Sequence, residues 1–236
     1  APPPWPADAV PPPADALDAV RAGWPLSSDG RARLPVVPEV PVAGVDPVPV
    51  VLHLCHGWGG GSARFIADLA RADGSRAHLL LEAHGATARA RFGEWLELRP
   101  AAAPDLLLER FELVPAIAAS GDGHALHAQA LDAVRARWPV SALMVSSLIG
   151  HDLAALDCGL PCLVVCHDYY PLWPELHCDF GDPGRRFDRA ELERDLARSP
   201  PTLFGSRDAG QWWALRQSFV ARLLSTRPTM VAPTAQ

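Results

Sequence analysis

The chain has 236 residues, of which 49% are hydrophobic and 20% charged, so it can bury a full core in one large domain with an appendage. Its formal net charge is -6 and its arginines are scattered among acidic residues, which leaves no basic stripe for nucleic acid. The sequence shows neither an apolar run of membrane-spanning length nor a signal peptide, so we expect a cytoplasmic protein without a nucleic-acid partner.

The first 48 residues differ in composition from the rest. Prolines open this segment and recur through it, which favours an extended chain. One short helix is predicted from Ala14 to Ala22, where Gly23 ends it. We therefore expect residues 1–48 to be a linker with a short helix and residues 49–236 to form the folded domain.

Strands and helices alternate from Val50 onward. Runs that are apolar on both faces, separated by helices, predict a parallel sheet covered on both sides. The expected fold class is α/β, a doubly wound parallel sheet of the Rossmann-like type. The predicted strands are 50–55, 78–83, 94–99, 106–113, 141–147, 162–166 and 229–232, and the predicted helices lie near 62–73, 124–137, 151–157, 188–198 and 209–224.

The first strand runs into a glycine-rich loop, residues 56–62 (HGWGGGS), and then into an amphipathic helix with Ser62 as its predicted N-cap. Glycines let the backbone approach a ligand closely, and a helix N-terminus offers free N–H groups to an anion. We therefore expect a phosphate-bearing ligand at Gly59, Gly60, Gly61 and Ser62. The alternative is that the glycines only make a tight turn between strand and helix.

The loop fits neither of two common nucleotide motifs. A P-loop needs a lysine, and all 21 basic residues are arginine, which excludes a Walker-type ATPase. The dinucleotide pattern G-x-G-x-x-G fails at its last position, which is Ser62 when counted from Gly57 and Arg64 when counted from Gly59. Glu82 lies about 20 residues further on, so NAD binding stays open as an alternative.

Two further polar clusters follow predicted strands, and ligands of parallel sheets bind at those carboxyl ends. Residues 146–152 (SSLIGHD) end one strand and open a helix, and Asp152 has a structural alternative as the cap of that helix. Residues 167–171 (HDYYP) can offer hydrogen bonds and stacking faces to a sugar ring. The structural alternative is that His167 caps a loop and Tyr169 fills the core.

The remaining conspicuous residues are interpreted as structural. The five cysteines are odd in number, and four lie in or beside predicted core elements, so reduced thiols are expected. They lack the C-x-x-C pairs that a zinc site usually shows, so no zinc site is predicted. Trp212 and Trp213 share helical spacing with other apolar residues and predict a packing stripe. His124 and His127 flank a helix start and are expected to face solvent. Neither a metal nor a cofactor is predicted.

Taken together, the three clusters resemble the N-terminal domain of GT-B glycosyltransferases, family 4 in particular. In that family a first strand runs into a Gly-Gly loop, a middle strand ends near an Ile-Gly-His-like turn, and Gly-Leu-Pro precedes a strand that ends in His-Asp-Tyr. The corresponding segments here are 59–61, 148–151, 159–161 and 167–171. The resemblance covers about residues 50–236, with Ser146 and Ser147 standing where family members often carry histidines.

The resemblance implies roles for particular residues. The loop 59–61 would lie against the donor diphosphate, and His167 would be a catalytic residue that contacts the transferred sugar at an interdomain cleft. Sugar or acceptor contacts are implied for His151, Asp168, Tyr169 and Tyr170. The implied partners are a nucleotide sugar and a glycan or lipid-linked acceptor, in bacterial surface polysaccharide assembly, with peripheral membrane association of the full-length enzyme.

Family members bind the nucleotide mainly in a second Rossmann-like domain that carries a basic pair and a late Glu motif. The end of this chain, residues 231–236, resembles the Ala-Pro-Ser segment that leads into that domain. We therefore expect the acceptor-side half of a glycosyltransferase, without its C-terminal donor domain and with weak donor binding. Two other classes stay open: a non-catalytic nucleotide or dinucleotide-binding module, and an oligomerising scaffold without a ligand.

Overall fold

The computed structural model describes residues 48–85, 92–174, 186–198 and 207–232. The predicted short helix, and the linker up to residue 47, lie outside the described residues. The strands are β1 Val50–His56, β2 Ala77–His84, β3 Trp95–Pro100, β4 Glu109–Glu112, β5 Val140–Val145, β6 Cys162–Val165 and β7 Thr229–Val231. The helices are α1 Gly61–Ala72, α2 Ala125–Arg137, α3 Arg189–Arg198 and α4 Ala209–Thr226, with a 3-10 helix at Leu153–Asp157. Each strand and helix predicted after residue 49 is found near its predicted position.

The seven strands form one mixed sheet in the order β4-β3-β2-β1-β5-β6-β7. Strands β2, β1, β5, β6 and β7 run parallel, so the class is α/β, as predicted, with a Rossmann-like parallel part. Strand β3 pairs antiparallel with both β2 and β4, so the prediction of a purely parallel sheet is wrong. The connection from β2 to β3, residues 85–94, is shorter than the dozen or so residues that a parallel crossover needs.

One face of the sheet carries the main apolar core. Alternate residues of β1 and β2 pack there in one cluster with α2, the 3-10 helix and α4. Trp212 of α4 is 1% exposed and lies in this cluster with Leu215 and Phe219, while Trp213 packs against it partly buried. The predicted packing stripe is therefore confirmed.

Helix α1 covers the opposite face of the sheet. Its Ile66 has no exposed surface and packs against Cys55 of β1 and Leu80 of β2. Burying a side chain of this size contributes about 1.5–3 kcal/mol. Because only residues 57–60 separate β1 from α1, this packing holds the first turn of α1 at the carboxyl end of β1.

The start of α1 differs from its prediction. The helix begins at Gly61 with Gly60 as its N-cap, so the prediction of Ser62 as the N-cap is wrong. Gly60 has φ 81° and ψ -149°, a conformation that is nearly restricted to glycine, and it turns the chain into the helix one position early. No side chain caps this end. The first N–H groups of α1 therefore lack the side-chain acceptor that most helix starts have.

Gly150 lies where three chain segments meet. Its φ is +77°, and a Cβ atom at this position would lie 2.7 Å from Cβ of Ala83 and 2.8 Å from the backbone nitrogen of Gly93. Its N–H donates to the carbonyl oxygen of Ala119 at 2.5 Å. Only a glycine fits, because both the available space and the backbone conformation exclude a side chain.

We expect Gly150→Ala to lower the free energy of unfolding by about 3 kcal/mol, through crowding and the positive φ together. The matched control is Gly123→Ala, because Gly123 has φ +89° but nothing within 4 Å of a Cβ atom. That change should lower the free energy of unfolding only by the cost of the positive φ angle, about 1 kcal/mol. Chemical denaturation of both variants measures the difference, and equal losses would contradict the packing argument.

Candidate functional site

The carboxyl ends of β1, β2, β5 and β6 lie at one edge of the sheet, which we call the carboxyl edge. His56 ends β1 and His84 ends β2, while Ser146 follows β5 and His167 lies just after β6. The glycine loop leaves β1 at this same edge and leads into α1. The topology therefore brings the loop, three imidazoles and a serine to one side of the molecule.

His56 is held by the loop that follows it. Its ring stacks on the ring of Trp58 with 4.5 Å between centroids, and its Nδ1 accepts a hydrogen bond from the Trp58 N–H at 3.3 Å. Trp58 in turn meets the ring of Phe92 edge-on at 5.2 Å and is 39% exposed. Burial lowers the pKa of His56, so its imidazole is neutral near pH 7. The loop thus presents an indole face to solvent beside a neutral imidazole.

His167 lies against the start of α1. Its ring meets the ring of Phe65, in the second turn of α1, edge-on at 5.2 Å. Burial lowers its pKa, and its Nε2 atom is buried with no hydrogen-bond partner among the described residues. His167 is therefore a neutral imidazole that reaches the glycine loop's helix with one polar atom unused.

His84 supports the glycine loop, and the sequence analysis missed this residue. Its ring occupies the space in which a Cβ atom of residue 57 would stand, so only glycine fits at Gly57. The ring stacks on Trp95 at 5.9 Å with 8° between planes. Its Nε2 lies 3.5 Å from Oε2 of Glu82 and 3.4 Å from Oε2 of Glu97. The end of β2 therefore packs directly beneath the glycine loop.

The two glutamates below His84 are engaged by a single arginine. Arg99 donates from Nη2 to Oε2 of Glu97 at 2.5 Å, and its Nε lies 3.7 Å from Oε2 of Glu82. Burial by itself would raise the pKa of Glu97, but hydrogen bonds from Arg99 and Trp95 outweigh it and hold the pKa below its usual value. Glu82, the acid on which the NAD alternative depended, is thus ion-paired with Arg99, while Nε2 of His84 lies near it without a hydrogen-bond partner among the described residues.

The prediction that His151 faces the cleft is wrong, because this residue has no exposed surface. Its Nε2 donates to the carbonyl oxygen of Cys55 at 2.9 Å, which leaves Nδ1 to accept from Nε2 of His127 at 3.1 Å. Burial lowers the pKa of His151 to about 4. His127 is 1% exposed, so the prediction that it faces solvent is wrong, because its polar atom pairs with His151 inside the core.

Asp152 has the structural role that was its alternative. The residue is 1% exposed, and its Oδ1 accepts from the N–H groups of Ala154 at 2.7 Å and Gly123 at 3.1 Å. Its Oδ2 accepts from the N–H of His124 at 2.6 Å. One carboxylate therefore caps the 3-10 helix and fixes the loop that leads into α2.

The three residues after His167 separate into different environments. Tyr169 is 40% exposed, whereas Tyr170 is buried and belongs to the main core. The Ser120 hydroxyl donates to the carbonyl of Leu148 at 2.6 Å, so the Tyr170 hydroxyl donates to Ser120 Oγ at 2.7 Å. Asp168 accepts the Tyr170 N–H at 2.9 Å. Of the two tyrosines predicted to bind a sugar, only Tyr169 presents substantial surface.

A second pair of buried histidines lies away from this edge, between β1 and β2. His78 Nε2 lies 3.3 Å from Oδ2 of Asp73, to which it donates, so His78 Nδ1 accepts from Nε2 of His53 at 2.8 Å. His53 has no exposed surface, and its Nδ1 has no partner among the described residues. Burial lowers the pKa of His53 to about 3 and also lowers that of His78, although Asp73 opposes the latter shift.

Within the described ranges, no group of three or more His, Cys, Asp or Glu residues is placed to hold a metal ion. Cys55, Cys158, Cys162 and Cys166 are free thiols, and burial raises the pKa of Cys55 to about 12 and that of Cys162 to about 11. None of the described helices combines the length and the apolar character needed to cross a membrane.

Comparisons of the chain with models of protein families, with curated proteins and with solved structures find no match. The geometry of the carboxyl edge is therefore the basis for assigning a function.

We expect the free energy of unfolding to fall as the pH drops from 6.5 to 5. His53 and His151 stay neutral in the folded protein, with pKa values of about 3 and about 4, whereas the ordinary pKa of a histidine is 6.5. The unfolded chain then binds more protons, so the stability is complete above pH 6.5 and is lost below it. Each such histidine contributes a slope of about 1.4 kcal/mol per pH unit.

Urea denaturation at pH 7.5, 6.5 and 5 measures this slope above the range in which carboxylates titrate. His53→Gln removes one buried imidazole, and the glutamine side chain can still donate to His78. This variant should therefore reduce the slope by the contribution of one histidine, about 1.4 kcal/mol per pH unit. A flat profile in the parent protein would contradict the neutral assignment.

Proposed function

We propose that this chain is the acceptor-side domain of a GT-B-type glycosyltransferase, which moves a sugar from a nucleotide-sugar donor to a hydroxyl-bearing acceptor. One observation carries the proposal. A glycine loop and the uncapped start of α1 lie beside two neutral imidazoles, His56 and His167, at the carboxyl edge of a Rossmann-like sheet. This is the edge at which ligands of parallel sheets bind, and the two features suit the two halves of the donor.

The glycine loop suits the diphosphate. Gly59 and Gly60 have positive φ angles, and no heavy atom lies within 4 Å of a Cβ position at Gly59, Gly60 or Gly61. An incoming phosphate can therefore approach the backbone closely. The N–H groups at the start of α1 and the positive end of the helix dipole both favour an anion there. The same groups would stabilise the charge that grows on the leaving diphosphate.

The imidazoles suit the sugar. A neutral imidazole has one donor and one acceptor nitrogen, which matches a sugar hydroxyl. The buried Nε2 of His167 has no partner among the described residues, and leaving such an atom unpaired costs about 1–3 kcal/mol. A hydroxyl of the transferred sugar would supply the missing hydrogen bond. Trp58, 39% exposed beside His56, adds an aromatic face of the kind on which sugar rings stack.

The alternative, a nucleotide or dinucleotide-binding module without catalysis, would use the same loop. Its dinucleotide form has less support, because Glu82 is ion-paired with Arg99. Sugar transfer separates the two functions. From the resemblance, we propose that the enzyme acts in the cytoplasm in the assembly of bacterial surface polysaccharide. Its acceptor would be a glycan or a lipid-linked molecule.

We expect nucleotide sugars to bind weakly at the loop. In an amide NMR titration with UDP-glucose, GDP-mannose or pyrophosphate, the largest shifts should fall on residues 59–64 and on His167. Gly60→Ala forces a side chain into a conformation that is nearly restricted to glycine and should weaken binding at least tenfold. Gly74→Ala is the matched control, because Gly74 lies in an exposed turn with open space around it, and its binding should be unchanged.

The absence of saturable shifts at millimolar concentrations of all three ligands would refute the phosphate site. Shifts that persist unchanged in Gly60→Ala would place the ligand elsewhere.

In any form of the protein that transfers sugar, His167→Ala should lower kcat by roughly ten- to a thousandfold, because a hydrogen bond to the transferred sugar is lost. The melting temperature should stay within a few degrees, since the ring is half-buried and its Nε2 supports no other group. Steady-state kinetics and thermal unfolding decide the matter. Unchanged turnover would make His167 a structural residue.

A further inference from the structure

We propose that the helix predicted at residues 14–22 packs on one half of the sheet and completes the layer of helices to which α1 belongs. This half, which we call the open face, is the side of β5, β6 and β7 that carries Ala142, Met144, Leu163, Val165 and Val231. The inference is independent of the proposed function, because the open face includes neither the glycine loop nor the two imidazoles beside it.

The register of the sheet determines which side chains share the open face. His53 of β1 stands beside Met144 of β5, Met144 stands beside Leu163 of β6, and Leu163 stands beside Thr229 of β7. Neighbouring residues of paired parallel strands point to the same side of a sheet. Cys55, two residues beyond His53, packs against α1. The open face is therefore the continuation of the side that α1 covers.

The open face lacks the cover that the rest of the sheet has. The apolar cluster of α1 includes residues of β1 and β2 but, among the described residues, none of β5, β6 or β7. Helices α2, α3 and α4 pack in the main core on the opposite side. Met144 and Leu163 belong to neither cluster and are only partly buried, and Val231 is 37% exposed. Parallel strands are almost always covered on both sides, so a further element is expected here.

The predicted helix has an apolar stripe that suits this surface. Leu17 and Val20 are one turn apart, and Trp24 follows one turn further on, so the three fall on one side of a helix. Asp15 and Asp18 fall on the other side. The side chains of the open face are uncharged. The stripe can therefore pack on the open face while the two acids stay in water.

The place at which the chain enters the fold also favours this segment. The described residues begin at Val48, and Val50 stands beside Val140 at the start of β5. Residues 23–47 connect the predicted helix to that point, and they can easily span the roughly 10 Å between β5 and β7. A helix of residues 14–22 would be about 14 Å long, which is close to the roughly 13 Å of β6.

The two methionines of the chain allow a direct test. Met144 lies on the open face, whereas Met230 stands beside Val164 and lies on the opposite side, where it is 46% exposed. NMR of the whole chain with labelled methionine methyl groups gives one signal for each, and Met230→Leu assigns them. We expect the soluble nitroxide hydroxy-TEMPO to broaden the Met230 signal strongly and the Met144 signal hardly at all. Nuclear Overhauser effects should connect the Met144 methyl to the side chains of Leu17, Val20 or Trp24.

A pair of glutamate variants tests the apolar stripe. Val20→Glu places a charge on the stripe and should release the helix, so the broadening of the Met144 signal by hydroxy-TEMPO should rise several-fold. Ala19→Glu is the matched control, because it adds the same helix-compatible residue one position away, off the stripe, and should leave Met144 protected. The Met230 signal should keep its position in both variants, which verifies that the sheet is intact.

Three results would overturn the proposal. Equal broadening of the Met144 signal in the parent and in Val20→Glu would mean that this helix does not cover the open face. Equal loss of protection in Val20→Glu and Ala19→Glu would contradict packing through the stripe. Protection of Met144 that disappears on dilution would assign the cover to a second copy of the chain.

Discussion

The hydrogen bond from His151 to the carbonyl of Cys55 is the contact on which the carboxyl edge depends. It ties the last turn of the loop after β5 to the end of β1, and the partner on its other side, His127, ties both to α2. The adjacent Asp152 holds the loop before α2 by accepting from the N–H groups of Gly123 and His124, and it caps the 3-10 helix by accepting from that of Ala154. Because the His151 ring is fully buried and both its nitrogens are used, it positions the strand ends and has no nitrogen left for a ligand.

The order and location of the strands and helices were predictable because the signals are local: apolar runs of strand length, helical periodicity, and glycine or proline between them. The direction of β3 was not, since it depends on pairing between segments and on the length of the connection. His127 shows a second limit. A histidine at a helix start indicates solvent exposure unless its buried partner is known, and that partner lies 24 residues away at His151.

The candidate site was predictable in part for the same reason. The glycine loop and His167 stand at strand ends that the sequence marks. The neighbouring Tyr169 and Tyr170 differ in exposure because Tyr170 packs into the main core, where its hydroxyl bonds Ser120. His84 did carry a signal, as the last residue of an apolar strand. Its contact with Gly57 nevertheless depends on the register of β1 against β2, in which His56 stands opposite Ala83, and no local pattern reveals that register.

The contact between Gly57 and His84 has a mechanical consequence. The His84 ring fills the space next to the Gly57 backbone and is itself packed between Trp95 and two glutamates. A movement of the loop toward the sheet would therefore have to displace the end of β2 as well. The loop is therefore held in one position by this packing and does not close over a ligand. A ligand that meets a surface already in its final shape does not have to order that surface, and the interaction energy is kept as affinity.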